Sequence, residues 1–261
     1  MLLLMLKKIY NDFVKLFDDI QGRLGFESIY KFCLDENVLY IKIDDDIVYF
    51  EDEFFKNFIE FRRNNQQYLL VYPLIINNSF ISWYLQDKGL IKLNKKSNIN
   101  NKWKNKILPI KKYIEDNSIE KIKEKYGKFI GDNALAPLEW GNINFCKELH
   151  QKFINLIKEN KIENLKFEKW ELTEYQPVSI NFVAWYGKKL KLVFDTIGEE
   201  NIIRQFLCGD ELWFSLYAPI KTNMINCVYG GKIVSHFSYE RQRSQGLETM
   251  GLLEQYHNLI E

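Results

Sequence analysis

The sequence contains few of the residues that build metal arrays or disulfide frameworks. It has three histidines and four cysteines in 261 residues, and no two cysteines form a C-x-x-C pair. This scarcity excludes a zinc array at the usual ligand spacings and indicates reduced, structural thiols, as in the cytosol. A chain of this length buries a core without needing disulfide crosslinks.

An excess of charge and a long apolar run are also lacking. Lys and Arg number 36 against 35 Asp and Glu, which gives a net charge of +1 and no general attraction to nucleic acid or anionic lipid. No apolar run reaches the roughly 18 residues that cross a bilayer, and Lys7 and Lys8 follow the N-terminal apolar residues instead of preceding them. We expect a cytoplasmic protein, with a peripheral contact of its first helix with the inner membrane face as the alternative.

Aromatic residues, in contrast, are abundant, at 15% of the chain. They favour strands and wide apolar contacts, and they also line sugar and nucleobase sites. Composition does not separate these two interpretations.

The spacing of apolar residues predicts an α/β protein. The first part of the chain alternates between helices over 2–20, 26–35 and 51–63 and buried strands over 38–43 and 68–76, as in a parallel α/β sheet. A basic, Asn-rich loop over 92–106 precedes helices over 111–126 and 141–160, and a last helix covers 247–260. Between these helices the pattern predicts strands over 165–171, 178–186, 189–195, 211–219 and 226–236. We expect one domain over 1–261, made of a core (26–91), a loop and helical insertion (92–140) and a β-rich region (141–261).

The most distinctive local feature is an acidic triplet, Asp44-Asp45-Asp46, directly after the strand over 38–43. Three adjacent carboxylates repel one another, and a divalent cation shared by two of them offsets that repulsion. Ligands of open α/β sheets bind at the carboxyl ends of strands, and Mg²⁺ and Mn²⁺ favour carboxylates together with phosphate oxygens. The alternative is an acidic turn in water. A metal-dependent phosphohydrolase is a weaker option, because no second ligand cluster has convincing spacing.

A set of ordered motifs runs along the chain: Tyr40–Tyr49 with the acidic triplet, Arg62-Arg63-Asn64, Tyr72–Asn78, Gly230–Ser238, Gln242-Arg243 and Leu247-Glu248-Thr249. This set resembles the GT-A-type glycosyltransferases with their DxD region, in particular the bacterial glycosyltransferase-like proteins found with surface-polysaccharide genes. The likeness covers most of residues 26–260, and the ordered set is more specific than the acidic triplet alone. The resemblance implies a Rossmann-like, mostly parallel sheet with a smaller mixed β region in the C-terminal half.

The resemblance also implies a metal site and a donor. In such enzymes the DxD carboxylates hold Mn²⁺ or Mg²⁺, which bridges the diphosphate of a nucleotide-sugar. That role falls to Asp44 and Asp46, with Asp45 as the alternative partner, and His236 matches the late histidine of the family. The alternative for His236 is a strand-end histidine bonded to a backbone carbonyl. The acceptor implied is a saccharide or a lipid-linked saccharide.

An inverting transferase needs a base for the acceptor hydroxyl. Asp210 and Glu211 are the candidates, and a charged turn before a strand is the alternative explanation of both. Glu139 is a second candidate, beside Trp140, which is placed to stack on a sugar or to anchor the core.

The other candidate binding residues are polar or cationic. Asn77 and Asn78 end a buried strand, where they bond sugar hydroxyls or cap the next helix. Arg241 and Arg243 follow His236 and are candidates to clamp diphosphate oxygens, although surface arginines near a helix start are common. His150 and His257 lie on predicted amphipathic helices, and we interpret both as structural. The basic loop over 92–106 is a candidate to bind an acidic acceptor or a lipid-linked phosphate, and a solvated loop is the alternative.

The sequence departs from the GT-A pattern at its N-terminus. Only 43 residues precede Asp44, whereas a GT-A domain has about three strands with their helices there, which bind the nucleoside. We therefore expect the N-terminal strands to be missing. Three explanations remain: a fragment, an inactive glycosyltransferase-like binding or scaffold protein, or a site completed by another chain. The exposed sheet edge predicts a homodimer or coverage by the first helix.

Overall fold

The computed structural model describes residues 27–94, 111–112, 114–116, 142–198 and 210–259. The helix predicted over 2–20 and most of the basic loop lie outside these residues, as do Glu139, Trp140 and Cys208. Cys33, Cys146 and Cys227 are free thiols.

The described elements alternate between short strands and helices. The strands are β1 (Leu39–Ile43), β2 (Ile47–Phe50), β3 (Val71–Ile76), β4 (Lys169–Glu171), β5 (Phe182–Tyr186) and β6 (Cys227–His236). The helices are α1 (Phe54–Asn64), α2 (Ser79–Asp87), α3 (Ile143–Lys158), α4 (Gly187–Ile197), α5 (Asp210–Leu212), α6 (Ala218–Thr222), α7 (Glu240–Ser244) and α8 (Leu252–His257). A π-helical turn, Trp213–Tyr217, joins α5 to α6, and 3-10 turns cover Glu27–Phe32, Ile162–Leu165 and Leu247–Met250.

The strands form one mixed sheet with the order β1-β5-β3-β6-β2, and β4 also pairs with β6. The α/β class is therefore confirmed, but the prediction of a mostly parallel sheet is wrong. Among the described strands, β3 and β6 form the one parallel pair, and the other pairs are antiparallel. The reason is that β5 lies between β1 and β3 and is antiparallel to both, and that β2 and β4 are antiparallel to β6. Strands β1, β3 and β6 still run in one direction, so their carboxyl ends meet at one edge.

Two segments predicted as strands are helical. In 189–195 lysines alternate with apolar residues, which favours a strand, but α4 buries Leu190, Val193 and Phe194 at helical spacing and leaves Leu192 47% exposed. The segment 211–219 is a continuous apolar run, and such a run does not distinguish a buried strand from a buried helix. The π turn, which lies within this segment, is buried along its whole length.

A bulge in β6 sets the position of its carboxyl end. The pairing of β3 with β6 jumps from Pro73 opposite Tyr229 to Leu74 opposite Ile233. Glycines occupy the bulge because a Cβ on Gly230 would lie 2.4 Å from the Phe167 side chain and backbone. The shifted register places Ser235 opposite Ile76, so β3 and β6 end side by side.

The core lies around β3 and β5, every residue of which is buried. The described residues contain no helix that is long and apolar enough to cross a membrane.

Candidate metal centre

The acidic triplet passes over the end of the sheet. It connects β1 and β2, which lie at opposite ends of the strand order, in only three residues. Its backbone is held at both ends, because the Asp44 N–H donates to the Asn181 carbonyl at 2.9 Å and the Phe237 N–H donates to the Asp46 carbonyl at 2.8 Å. The triplet is therefore fixed at the edge where β1, β3 and β6 end.

Two carboxylates and one imidazole meet at this edge. Asp44, Asp46 and His236 each offer one ligand atom, and these atoms all lie within 4.8 Å of one another. His236 Nε2 lies 2.9 Å from Asp46 Oδ1, and the histidine side chain is only 3% exposed. Asp45 is exposed and outside the group. The structure thus brings together the three residues that the resemblance implies as metal ligands.

The hydrogen bonds around Asn181 leave a place for a cation. The Asn181 Oδ1 atom accepts from the Tyr239 hydroxyl and from Asn78 Nδ2, so Asn181 Nδ2 is the atom that faces Asp44 Oδ2, at 3.1 Å, and His236 Nε2, at 3.2 Å. His236 Nε2 also lies 2.9 Å from Asp46 Oδ1, and this nitrogen has a single site for a proton or a ligand. A proton or a cation shared between Nε2 and Asp46 therefore takes the place of a hydrogen bond from Asn181 to Nε2.

Both carboxylates also contact a basic side chain. Lys42 pairs with Asp44 Oδ1, and Arg243 Nη1 pairs with Asp46 Oδ2 at 3.1 Å. Burial by itself raises the pKa of Asp46, but the hydrogen bond and charge of His236 and the charge of Arg243 outweigh burial and lower that pKa below its ordinary value. Asp46 is therefore held as a carboxylate.

Sequence reasoning missed Lys42, Asn181 and Tyr239. The signal for Lys42 is its spacing of two from Asp44, which places both residues on one face of an extended chain. The signal for Asn181 is a polar residue within the apolar segment that leads into β5. Neither signal is specific. The contact between Asn181 and the triplet arises because β5 pairs with β1 in the antiparallel direction, and the sequence does not show this pairing.

The two candidate bases lie next to this centre. The Glu211 Oε1 atom accepts from the Ser179 hydroxyl at 2.9 Å, and Asp210 Oδ2 accepts from the Tyr30 hydroxyl at 2.7 Å. Burial, and then the charges of Asp210 and Asp44, raise the pKa of Glu211 to about 7, against the effects of Ser179 and Lys42. Glu211 therefore exchanges a proton near neutral pH.

Asn77 and Asn78 are both fully buried and bonded to protein atoms. Asn78 Oδ1 accepts from the Ile81 N–H at 3.4 Å, so Asn78 caps α2, the alternative to sugar binding. Asn77 Nδ2 donates to the Phe237 carbonyl at 2.7 Å and to Gln242 Oε1 at 2.9 Å. Asn77 thus positions the segment after His236 instead of facing a ligand.

The two candidate arginines differ in their contacts with the metal centre. Arg243 donates to Asp46 and, at 2.9 Å, to the Ser238 carbonyl. Arg241 is exposed and makes no ion pair with any described residue.

His150 lies behind the centre, fully buried on α3. His150 Nε2 bonds to the Phe237 carbonyl at 2.9 Å, so that nitrogen carries the proton, and Nδ1 accepts from the Tyr256 hydroxyl at 2.8 Å. Burial lowers the pKa of His150 to about 4. The side chain therefore serves as a neutral structural link between α3, β6 and α8.

This depressed pKa makes the fold sensitive to acid. Below about pH 6.5 the unfolded chain protonates His150 while the native chain does not, so stability falls as pH drops from about 6.5 to about 4. We expect this histidine to contribute a loss on the order of 3 kcal/mol. Urea unfolding across this range measures the loss, and ring NMR titration of His150 checks its origin. An NMR midpoint near 6.5 would contradict the assignment.

Comparison of the chain with models of protein families, with curated proteins and with solved structures gave no match. The geometry of this centre and the resemblance of the motifs are therefore the features that indicate a function.

Proposed function

We propose that the chain is a metal-dependent glycosyltransferase, which moves a sugar from a nucleotide-sugar donor to a saccharide or lipid-linked acceptor in surface-polysaccharide biosynthesis. The observation that carries the proposal is the convergence of Asp44, Asp46 and His236 at the carboxyl ends of β1 and β6. This is the edge of an α/β sheet where ligands bind. The motifs that resemble GT-A enzymes supply the reaction class.

The residues present fit a divalent cation. Their donors are two carboxylates and one imidazole, and His236 Nε2 and Asp46 Oδ1 lie 2.9 Å apart beside a histidine side chain that is only 3% exposed. Carboxylates suit Mg²⁺ and Mn²⁺ alike, whereas an added imidazole favours the softer Mn²⁺. A cation held here supplies positive charge to a leaving diphosphate.

Glu211 is the better of the two candidate bases. A base works best with a pKa near the working pH, and the pKa of Glu211 is about 7. The Ser179 hydroxyl fixes one of its oxygens, at 2.9 Å. We assign to Glu211 the removal of the proton from the acceptor hydroxyl.

A second candidate function is a glycosyltransferase-like binding or scaffold protein without activity. The observation that favours it is that Lys42 and Arg243 already pair with Asp44 and Asp46. These two cations relieve the repulsion between the carboxylates without a metal. The two functions make different predictions for ligand binding.

Thermal unfolding with Mn²⁺ and a panel of nucleoside diphosphates, each alone and together, distinguishes the two. A ligand at 100 times its Kd adds about 2.7 kcal/mol, a rise of roughly 5–10 °C in Tm for a chain of this size. The transferase predicts a rise that needs both Mn²⁺ and one nucleotide. Well-folded protein with no rise for any pair would overturn the transferase and favour the binding protein.

A further inference from the structure

The strongest further feature is the pair of cations at the metal centre, and the inference drawn from it rests on the proposed function. We infer that Lys42 and Arg243 are internal counterions that compete with the divalent cation for Asp44 and Asp46, and that they pair instead with the oxygens of a diphosphate when metal and anion bind together. The consequence is that the site binds the metal and the diphosphate as a coupled pair and binds either one alone weakly.

The geometry places one cation on each carboxylate. Lys42 Nζ contacts Asp44 Oδ1 and also donates to the Ile180 carbonyl at 3.0 Å, and its side chain is 17% exposed. Arg243 Nη1 contacts Asp46 Oδ2, and its side chain is 43% exposed. Arg243 is therefore the more exposed of the two cations, whereas Lys42 is largely buried and keeps a hydrogen bond to the Ile180 carbonyl beside its contact with Asp44.

Among the groups in direct contact, two carboxylates face two permanent cations, Lys42 and Arg243. An imidazole must be uncharged to ligate a metal, so with a metal bound His236 adds no charge to this balance. Asp45 is exposed, so water and salt screen its charge. Addition of a divalent cation to these four groups leaves two uncompensated positive charges in a partly buried place, which is unfavourable.

A diphosphate restores the balance. A diphosphate diester carries two negative charges, which match the excess, and a free diphosphate carries about three near neutral pH, which also offset it. The diphosphate oxygens accept hydrogen bonds from the Lys42 ammonium and from the planar Arg243 guanidinium. The ligand class is therefore a diphosphate or a diphosphate ester. A neutral sugar or a monoanion leaves positive charge behind.

The test compares three titrants by calorimetry: Mn²⁺ alone, pyrophosphate alone, and the preformed Mn²⁺–pyrophosphate complex. The proteins are the wild type, Lys42→Met, Arg243→Gln and the control Arg63→Gln, which removes one exposed charge on α1. Removal of a competing cation should strengthen binding of Mn²⁺ alone by roughly tenfold, since a nearby like charge is lost. The same removal should weaken binding of the complex by roughly tenfold.

Tighter binding of Mn²⁺ alone together with weaker binding of the Mn²⁺–pyrophosphate complex is the result expected for a counterion. Arg243→Lys, which keeps the charge, should keep the coupling, and Arg63→Gln should resemble the wild type. If Lys42→Met and Arg243→Gln bind Mn²⁺ no better than the wild type, or bind the complex equally well, the two cations merely position the carboxylates and the inference is overturned. Failure of all folded proteins to bind either Mn²⁺ or the complex would instead overturn the metal centre of the proposed function.

Discussion

The substitution Asp46→Asn is expected to abolish the Mn²⁺-dependent rise in Tm and to lower sugar transfer by at least about 100-fold. Asp46 supplies one of the three ligand atoms that lie within 4.8 Å of one another. Asparagine keeps the shape of the side chain but loses the negative charge that a divalent cation needs. The measurement is thermal unfolding with Mn²⁺ and a nucleoside diphosphate, followed by turnover of the donor that the panel identifies.

The triplet itself provides a matched control. Asp45→Asn removes the same charge one residue away, from an exposed side chain outside the group. We expect Asp45→Asn to retain binding and turnover within a few-fold of the wild type, because an exposed charge is screened by salt. If Asp45→Asn is the variant that loses Mn²⁺ binding, the assignment of Asp46 as a ligand is wrong. Turnover that remains undiminished in Asp46→Asn would likewise contradict the role of Asp46.

Local sequence patterns predicted the elements that bear the metal centre. A short run of β-forming residues bounded by acidic residues gave the strand before the triplet, now β1 (Leu39–Ile43). The strand predicted over 68–76 corresponds to β3, and the strand predicted over 226–236 corresponds to β6, which ends at His236. These features depend on neighbours in sequence, so one chain was sufficient to predict them.

The pairing of strands depends on distant residues and was not predicted. Nothing local shows that β5 inserts between β1 and β3, yet this insertion brings Asn181 to Asp44. Likewise, the interpretation of Asn77 as a sugar ligand overlooked Gln242, which lies 165 residues away and occupies its side-chain amide. Non-local contacts of this kind decided which polar residues face the centre and which support it.

Of the two segments wrongly predicted as strands, 211–219 is the one in which burial hid the periodicity. The π turn has no exposed face, so its sequence shows neither the helical nor the strand repeat. A π turn inside a helix is frequently a functional feature. Here it directly follows α5, which bears both candidate bases.

The second large effect concerns Glu211→Gln, which should lower turnover by roughly 100- to 10,000-fold. Glutamine keeps an oxygen to accept the Ser179 hydroxyl, so the local contact survives. It cannot accept a proton, so the assigned base is lost. The matched control is Asp210→Asn, on the neighbouring residue that pairs with the Tyr30 hydroxyl, and we expect its turnover to stay within tenfold of the wild type.

The variant Glu211→Gln should also have a higher free energy of unfolding than the wild type at alkaline pH, although its turnover is lower. The pKa of Glu211 is about 7 in the native state and lies near its ordinary value of 4.5 in the unfolded chain. Between these values the unfolded chain has released a proton that the native chain retains. The stability that Glu211 contributes is therefore fully present below about pH 4.5 and is lost as pH rises through about 7.

Glu211→Gln removes this loss, because a glutamine has no charge to bury. We expect the variant to be more stable than the wild type at pH 8 by as much as about 3 kcal/mol, and to show little difference at pH 4.5. Urea unfolding at the two pH values measures this. If Glu211→Gln is inactive but more stable at pH 8, the variant has lost the base and kept its fold. Equal destabilisation at both pH values would show that Glu211 supports the fold. Loss of turnover in Asp210→Asn alone would assign the base to Asp210.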